Sequence, residues 1–568
     1  MRTSTGSLFI KLSFCILAAL LSACGEKNRL FKPKALPPEV PQLLRQTLET
    51  TVLPASLRDQ KELAQAWEEM QGFYEKRAFQ PVWSNASGPR PQAQELIEAI
   101  PALGADGMHV RRYQPARLAA LLKQVEGTKS FDDPQSQRRL VDLDIELTYT
   151  YLSLATHLAS GRLQPKTMQA DWYTKPRKTD LDARLGQALV AENTGEIVKI
   201  FRSLTPRYLH YDRLRQALIH HRAIEAKGGW GTVPSGAKLA AGSRGPQVAA
   251  LRARLAASGD LAGAAAPAGN AQPAAGADVF DDAVTAAISR FQQRHGLEVT
   301  GKVDESTLAE LNVPVQDRIR QIQVNMERWR WLPATLGERY IMVNVPEFRL
   351  DVIESGKTAL TMPVIVGKDQ SRTPAFSDKM SYIEINPYWN IPESILNEEI
   401  LPKLGSDPGY LASHNMEWVG EPQRLRQRPG ADNPLGKMKF MFPNDFNIYL
   451  HDTPAGHLFS EAERLFSHGC IRIQKPFDLA VYLLKDDPKW TPEALQAAID
   501  SGQNQQIPLK DPLPVHILYW TAWVEPDGTV QFRKDIYGHD AQLEQALAEE
   551  PPVWLDLKVM RGEVKAAM

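Results

Sequence analysis

One short segment decides how the C-terminal half of the chain is interpreted: residues 467–472, which read SHGCIR. If it is extended, His468, Cys470 and Arg472 project from one face while the isoleucines pack on the other. An imidazole and a guanidinium beside a thiol lower its pKa and favour the nucleophilic thiolate. Gly469 removes a side chain next to the sulfur, so a substrate backbone can approach closely. The pattern predicts a cysteine nucleophile on a β-strand.

A second histidine precedes this segment. His451 ends the apolar run that contains Tyr449, and 15 residues separate it from Ser467. Three interpretations of the thiol compete: an inert buried cysteine, a metal site built from His451, His468 and Cys470, and nucleophilic catalysis. Because no further ligands accompany the three at metal-site spacing, we expect no metal and favour nucleophilic catalysis.

Length and composition limit the remaining classes of protein. The chain has 568 residues, enough for about three or four domains. With 43% hydrophobic and 23% charged residues it can bury sizeable cores, and a net charge of -1 provides no electrostatic footprint for nucleic acid. The three cysteines are Cys15, Cys24 and Cys470, which excludes a disulfide framework in the mature chain. We therefore expect a multidomain globular protein that does not bind nucleic acid.

The N-terminal residues have the pattern of an export signal. Positive residues precede an apolar run over 12–21, which is too short to span a bilayer comfortably. The run ends in Leu-Ser-Ala-Cys at 21–24, which resembles a bacterial lipobox with Cys24 as the lipidation site. We expect a signal peptide over 1–23, a Lys- and Pro-rich tether over 24–42, and a periplasmic protein anchored by lipid, in the outer membrane of a Gram-negative bacterium. A plain signal peptide or short anchor is the alternative.

Two helical regions follow the tether. Apolar residues at three- and four-residue spacing, as in 61–67 and 140–147, predict a helical scaffold domain over 43–230 without a catalytic constellation. A smaller unit over 238–313 predicts three helices, at 246–259, 281–295 and 305–311. Its Ala-, Gly- and Pro-rich insert at 261–277 has no face to pack and is predicted to be disordered.

From about residue 335, apolar residues no longer recur at helical spacing and instead alternate with polar ones. Strands are predicted at 340–345, 348–353, 361–367, 380–385, 439–442 and 447–451, with further β pattern over 515–533 and a hairpin turn at 527–528. A more helical, Pro- and Gly-rich stretch over about 391–437 interrupts the strands and could cap a cleft. The prediction is a multidomain α+β chain whose third domain, 335–540, is mostly β with a helical capping insertion, followed by a tail over 541–568.

These features resemble a known family. The His451 spacing and the SHGCIR motif are similar to the active-site signature of the L,D-transpeptidases, which share the YkuD-type catalytic domain. The helical scaffold, the small bundle (which resembles a peptidoglycan-binding domain) and the capped catalytic domain look like the large YcbB-type members. The resemblance is also carried by residues 386–392, 428–430, 433–436, 521–523 and 532–537.

The resemblance implies two-step acyl transfer without a cofactor. Cys470 would attack a tetrapeptide stem of peptidoglycan, release D-alanine and pass the acyl group to a second stem as a 3→3 cross-link. His468 would be the base or proton donor, and backbone N–H groups near Gly469 and Cys470 would hold the oxyanion. The residues expected to bind substrate are His451, Tyr449, Arg472, Ser467 and Trp389.

The resemblance also implies partners and leaves alternatives open. Stem peptides would be donor and acceptor, cell-wall synthases are possible partners, and carbapenems would acylate Cys470. An L,D-carboxypeptidase, in which water resolves the same thioester, would leave nearly the same sequence. A structural lipoprotein that only binds peptidoglycan is a third reading. Trp389 could equally be a core residue, and the bundle could be purely structural.

Overall fold

The computed structural model describes residues 36–50, 61–165, 171–174, 177, 179–190, 195–236, 239–261, 278–548 and 557. The predicted signal peptide, the Cys24 lipidation site, most of the tether and most of the bundle insert lie outside these residues. Within the described part, no helix has both the length and the apolar character needed to cross a membrane.

The N-terminal domain is built from helices around one apolar core. Its core is organised by the 27-residue helix Pro134–Ser160, which begins where the Asp133 carboxylate accepts hydrogen bonds from the Gln135 and Ser136 amides. Inside that helix, buried Asp144 accepts a 2.6 Å hydrogen bond from the Tyr74 hydroxyl. The described helices are α1 (Glu39–Thr50), α2 (Lys61–Glu75), α3 (Pro91–Ala99), α4 (Pro115–Glu126), α5 (Pro134–Ser160), α6 (Leu181–Val190), α7 (Glu196–Leu204) and α8 (Leu209–Ala226), with a short hairpin of β1 (Ser84–Asn85) and β2 (Gly88–Pro89).

Helix α1 corrects one predicted boundary. Residues 39–42 fall in the predicted tether, yet they already belong to α1, and Val40 is fully buried. The helix begins here because Val40, Leu44 and Leu48 recur at four-residue spacing and pack into the domain core.

The small bundle has the three predicted helices, α9 (Pro246–Ala257), α10 (Asp282–Arg294) and α11 (Glu305–Leu311). Asp281 caps α10 by accepting the Val284 amide, and Asp304 caps α11 by accepting the Thr307 amide. Leu261, which was predicted to start the disordered insert, is instead buried in the bundle core. The rest of the insert lies outside the described residues.

A central helix, α12 (Val315–Arg330), was not predicted. It lies between the bundle and the domain that the resemblance predicts to be catalytic, which is called the catalytic domain below. It binds the scaffold through Glu327, whose carboxylate accepts the Leu163 amide at 2.8 Å. It binds the catalytic domain through Asn325, which exchanges hydrogen bonds with Thr521 at 2.8 and 3.0 Å. The helix therefore joins both domains through buried polar contacts.

The catalytic domain is organised by a sheet that, in the described chain, has nine strands in the order β12-β5-β13-β11-β10-β6-β14-β3-β4, and β5 also pairs with β4. The long strand β5 therefore closes the sheet on itself. The predicted strands are confirmed, with one exception: 447–449 has no regular secondary structure, so only the end of that segment is a strand. The strands are β3 (Arg339–Asn344), β4 (Arg349–Glu354), β5 (Lys357–Gly367), β6 (Phe376–Ile385), β10 (Met438–Met441), β11 (Leu450–His451), β12 (Leu465–Ser467), β13 (Ile471–Ile473) and β14 (Gln505–Leu518).

The capping insertion is a mixed lobe rather than a purely helical one. A three-stranded antiparallel sheet, in the order β7 (Trp389–Asn390), β9 (Arg424–Gln427) and β8 (Met416–Val419), packs with α13 (Glu393–Ile395), a π-helical turn over Leu396–Ile400, α14 (Leu401–Ser406) and α15 (Tyr410–Ser413). The domain is completed by α16 (Pro476–Leu484), α17 (Pro492–Asp500), the predicted hairpin as β15 (Ala522–Val524) and β16 (Val530–Phe532), and α18 (His539–Ala548). Helix α18 occupies the start of the predicted tail.

We predict that Glu327→Gln destabilises the protein by about 3–5 kcal/mol, since it leaves the Arg330 guanidinium buried without its carboxylate. The two side chains are 2–3% exposed and 2.8 Å apart. Urea unfolding of both proteins would measure the loss. Glu49→Gln, which breaks the exposed Arg45–Glu49 pair, is the matched control and should cost less than about 1 kcal/mol. Equal effects of the two changes would contradict the prediction.

Candidate active site

The candidate site is one face of the sheet where β10, β11 and β13 lie side by side. His451 pairs with Arg472 on one side and with Lys439 on the other. Directly paired residues share a face, and so do residues two apart along a strand. Cys470, just before β13, has the Tyr449 side chain within hydrogen-bond reach. Lys439, Tyr449, His451, Cys470 and Arg472 therefore form the face that we call the thiol face.

The other side of the motif is core, as predicted. Ile471 and Ile473 are fully buried in the main apolar cluster. Burying two isoleucines fixes which way β13 faces, because a slip of one residue would turn them towards the thiol face. The alternation predicted for residues 470–473 is confirmed.

The alternation of side chains between the two faces of the strand does not extend back to Gly469, the residue before Cys470. Its φ of +112° is a conformation that L side chains rarely adopt, and an added Cβ would lie 3.3 Å from Ile448 Cδ1. The turn is held by Thr373, whose hydroxyl donates to the Gly469 carbonyl at 2.7 Å. The Gly469 amide donates to the Ser467 hydroxyl at 3.2 Å. Because the strand is broken here, the position of His468 does not follow from the direction of Cys470.

His468 reaches the capping lobe. Its Nε2 lies 2.8 Å from the Glu399 carboxylate, and both side chains are about two-fifths exposed, at 38% and 43%. Glu399 belongs to the π-helical turn of the lobe, so this contact joins the lobe to the motif. Trp389 packs against the lobe's own apolar cluster of Ile395, Ile400 and Leu425.

The Cys470 thiol sits in a half-buried environment. Its Sγ lies 3.6 Å from the Asn447 carbonyl, to which it donates. Burial raises the pKa of Cys470, and hydrogen bonds from Tyr449 with the positive charges of Lys439 and Arg472 only partly oppose this. The expected lowering of the thiol pKa by its neighbours is therefore wrong in sign, because burial dominates.

His451 is a neutral imidazole held in one orientation. Its ring is buried, and Nδ1 lies 2.6 Å from the Asp452 carbonyl, which can only accept a hydrogen bond. Nδ1 therefore carries the proton and Nε2 keeps a lone pair. Burial and Arg472 lower the pKa of His451 to about 3. The resting site thus combines a neutral thiol with a neutral imidazole.

Two cations make the thiol face positive. Lys439 Nζ lies 4.1 Å from the centre of the Tyr449 ring, and burial lowers the lysine pKa. Burial also lowers the pKa of Arg472, and its Nε is buried without a hydrogen-bond partner in the described structure. Sequence reasoning missed Lys439; its alternation with the buried Met438 and Phe440 was the available signal.

A second layer of residues supports the motif and was also missed. Thr373 accepts the Gly367 amide at 2.9 Å while it donates to the Gly469 carbonyl, so it links β5 to the motif. The Tyr537 hydroxyl donates to the Gly367 carbonyl. A Cβ at Gly367 would overlap the Ser371 carbonyl, which explains the glycine. Contacts of such long sequence separation leave no local signal.

Over the described ranges, no group of three or more His, Cys, Asp and Glu side chains could hold a metal ion.

Comparison with known families covers three regions. Residues 68–218 match a family described as "Scaffold domain", residues 244–311 match "Putative peptidoglycan binding domain", and residues 338–492 match "L,D-transpeptidase catalytic domain". A Haemophilus influenzae protein named "Putative L,D-transpeptidase" is 35% identical over 246 residues, which are 40% of this chain and 49% of that protein. The chain thus spans about half the length of this curated relative.

Two solved structures are also similar. An L,D-transpeptidase from Mycobacterium smegmatis has 16% identity and a TM-score of 0.19, covering 32% of this chain and 58% of that one. One from Stackebrandtia nassauensis has 14% identity and a TM-score of 0.19, covering 50% and 96%.

The chain is a multidomain α+β protein, and the closed sheet of its third domain carries a candidate cysteine active site, the thiol face. The family matches make the class specific: residues 338–492 are similar to the L,D-transpeptidase catalytic domain of the YkuD type, residues 68–218 to the scaffold domain and residues 244–311 to the putative peptidoglycan binding domain. The resemblance and the fold class predicted from the sequence are confirmed.

We predict that Cys470 alkylates slowly at pH 7 and that its rate goes on rising at alkaline pH where a free cysteine has already reached its plateau, since a raised thiol pKa keeps the sulfur protonated. Iodoacetamide labelling across pH would measure this, with Cys470→Ala as the blank. Tyr449→Phe removes a hydrogen bond to the thiolate and should move the profile to higher pH. A midpoint below pH 7 would mean that the thiolate is already formed.

Proposed function

We propose that this protein is a peptidoglycan L,D-transpeptidase that forms 3→3 cross-links by acyl transfer through Cys470. The observation that carries the proposal is the thiol face, where the nucleophile shares one sheet surface with a neutral histidine and two cations. The donor is a tetrapeptide stem and the acceptor is the amine of a second stem. The scissile peptide bond supplies the free energy, so no cofactor is required.

In the first step the Cys470 Sγ attacks the carbonyl carbon of the third stem residue, and the thiol proton moves to His451 Nε2. The C–N bond to D-alanine then breaks, and the imidazolium returns its proton to the leaving amine. His451 suits this role because its Nδ1 is already committed to a carbonyl and its Nε2 is a proton acceptor. His468, the base expected from the sequence, is engaged by Glu399 instead.

The oxyanion needs N–H donors that are not already used. Since the Gly469 amide donates to Ser467, the Cys470 amide is the better candidate within the motif. One such donor typically contributes about 3–4 kcal/mol to transition-state stabilisation.

Arg472 is the group we assign to a carboxylate of the donor stem. Its Nε is buried and unpartnered in the described structure, and a planar guanidinium binds a carboxylate through two hydrogen bonds. The positive face formed by Arg472 and Lys439 would also hold an anionic donor near the thiol. Tyr449, between the strands, would line the same pocket.

In the second step an amine attacks the thioester, the C–S bond breaks, and the proton released by the amine returns to the sulfur. The capping lobe favours an amine over water. Glu399 of the lobe contacts His468 of the motif, so the lobe stands over the site and limits water access to the thioester. The alternative is an L,D-carboxypeptidase, in which water and not an amine attacks the thioester.

We also propose that the chain works at the cell wall, attached by lipid at Cys24, in the periplasm and at the outer membrane. The lipobox-like residues 21–24 support the anchor, and the family match of residues 244–311 supports contact with peptidoglycan. Cell-wall synthases that supply fresh stems remain proposed partners.

We predict that the purified protein converts disaccharide-tetrapeptide into a dimer that has lost one D-alanine, because acyl transfer releases one leaving group for each cross-link. Mass spectrometry would measure the product, with Cys470→Ala as the control that makes none. Tripeptide monomer alone would replace the proposal with a carboxypeptidase. No product in either sample would favour the structural lipoprotein.

We predict that His451→Gln slows acylation of Cys470 by a carbapenem about 10²–10⁴-fold, the usual contribution of a positioned base. His468→Gln is the matched variant and should slow this first step less than tenfold, since its ring is bonded to Glu399. Intact-protein mass spectrometry against time gives both rates. The reverse order of effects would assign the base to His468.

A further inference from the structure

A cavity lies where the scaffold domain, the bundle and the catalytic domain meet, and no residue of the SHGCIR motif lines it. It encloses about 910 Å³. Its walls come from α8, Trp230, the bundle, α12 and the β15–β16 hairpin. Among its described lining residues, none belongs to the thiol face. We call it the junction cavity.

Arginines dominate the lining. Six of them, Arg254, Arg290, Arg294, Arg318, Arg349 and Arg533, face four acidic residues, Asp260, Glu347, Glu525 and Asp527. Arg294 is bound to Asp260 at 2.6 Å, and Arg349 is bound to Glu347 at 2.5 Å. Arg318 pairs with Glu310, outside the lining. Asp260 and Glu347 are therefore already engaged by other arginines, while Glu525 accepts the Trp523 indole N–H and Asp527 accepts the Thr529 amide.

Arg254 has no such partner. Its residue is only 2% exposed, and its one hydrogen bond runs from Nε to the Leu311 carbonyl at 2.6 Å. Nη1 is buried without a hydrogen-bond partner, and in the described chain no carboxylate lies within ion-pair distance of the guanidinium. The guanidinium lies 4.0 Å from the centre of the Trp230 ring, which fixes its plane.

Arg290 is the second cation without a carboxylate. Its Nη2 donates to the Asp260 main-chain carbonyl at 2.7 Å, and no ion pair to it occurs in the described structure. Arg290 is exposed, whereas Arg254 is buried, and burying positive charge without a counter-charge is costly. Burial together with Arg294 lowers the pKa of Arg254 to about 9. Since that value is above neutral pH, the group stays charged and attracts an anion.

We propose that the junction cavity binds a small oxyanion, a carboxylate or a phosphate group, at Arg254 and Arg290. Guanidinium groups match both anions through paired N–H donors. The cavity draws residues from all three domains, while both of these arginines belong to the bundle. The proposal rests on the cavity alone and does not require the activity of Cys470.

The test uses the full chain with Cys470→Ala, labelled with 5-fluorotryptophan, and follows the ¹⁹F signal of Trp230, assigned with Trp230→Phe. The probes are disaccharide-tetrapeptide, the same compound with its carboxyl groups amidated, and inorganic phosphate. We expect a saturable shift with at least one of the two anions, weaker at high salt, and none with the amidated compound. Response to one anion and not the other identifies the source of the group.

Arginine variants complete the test. Arg290→Gln, at an exposed position, and Arg254→Gln should each raise the dissociation constant at least tenfold. Arg254→Lys keeps the positive charge but loses the planar guanidinium, so it should weaken binding less than Arg254→Gln. It replaces Arg254→Gln in the test if that variant does not fold. Arg320→Gln, on α12 outside the lining, is the control that should change nothing.

Three outcomes would overturn the proposal: no shift with either anion at millimolar concentration, equal binding of the amidated compound, or binding unaffected by Arg254 and Arg290. Carbapenem acylation of the same arginine variants, with Cys470 restored, separates this failure from failure of the proposed function. Those variants should acylate at the wild-type rate.

Discussion

The structure depends on the polar contacts that α12 makes while it is buried between two domains. Towards the scaffold, Glu327 accepts the Leu163 amide and pairs with Arg330, whose guanidinium also donates to the Tyr211 hydroxyl at 2.9 Å. Towards the catalytic domain, Asn325 holds the Thr521 main chain and side chain. Each group has lost its water, so only the correct docking of both domains satisfies it. The helix thus makes the arrangement of the domains specific.

The thiol face follows from a second constraint, the closed sheet. Strand β5 pairs with β4 at one end and with β13 and β12 at the other, so the segment that carries Cys470 is held in register with the whole domain. Closure also buries the isoleucines of β13 and leaves the opposite side of the strand for chemistry. The same burial that orders the site keeps His451 neutral and raises the pKa of the thiol.

Local sequence patterns predicted what local forces decide. The strands and the bundle helices follow from periodicity and from capping residues such as Asp281 and Asp304, and the cysteine face follows from alternation over 470–473. The position of His468 did not follow, because a positive φ at Gly469 breaks the alternation. The sign of the thiol pKa shift was missed because burial depends on the whole fold.

Other features had no local signal at all. Helix α12 has many charged residues, yet three of them, Arg318, Arg328 and Arg330, are buried, and Arg328 pairs with Asp540 far away in the sequence. Glu399 meets His468 across 69 residues. Such pairings exist only once the domains have assembled, so no window of sequence contains both partners.

The raised pKa of Cys470 also bears on how long the nucleophile survives. Oxidants react with the thiolate, so a sulfur that stays protonated is oxidised slowly. Cys470 is the only cysteine in the described part of the chain, and a sulfenic acid formed there would have no neighbouring thiol with which to close a reversible disulfide. Burial therefore protects Cys470 from oxidation, because it keeps the sulfur protonated until the substrate binds. This protection matters because no second cysteine in the described chain could reduce the damage by forming a disulfide.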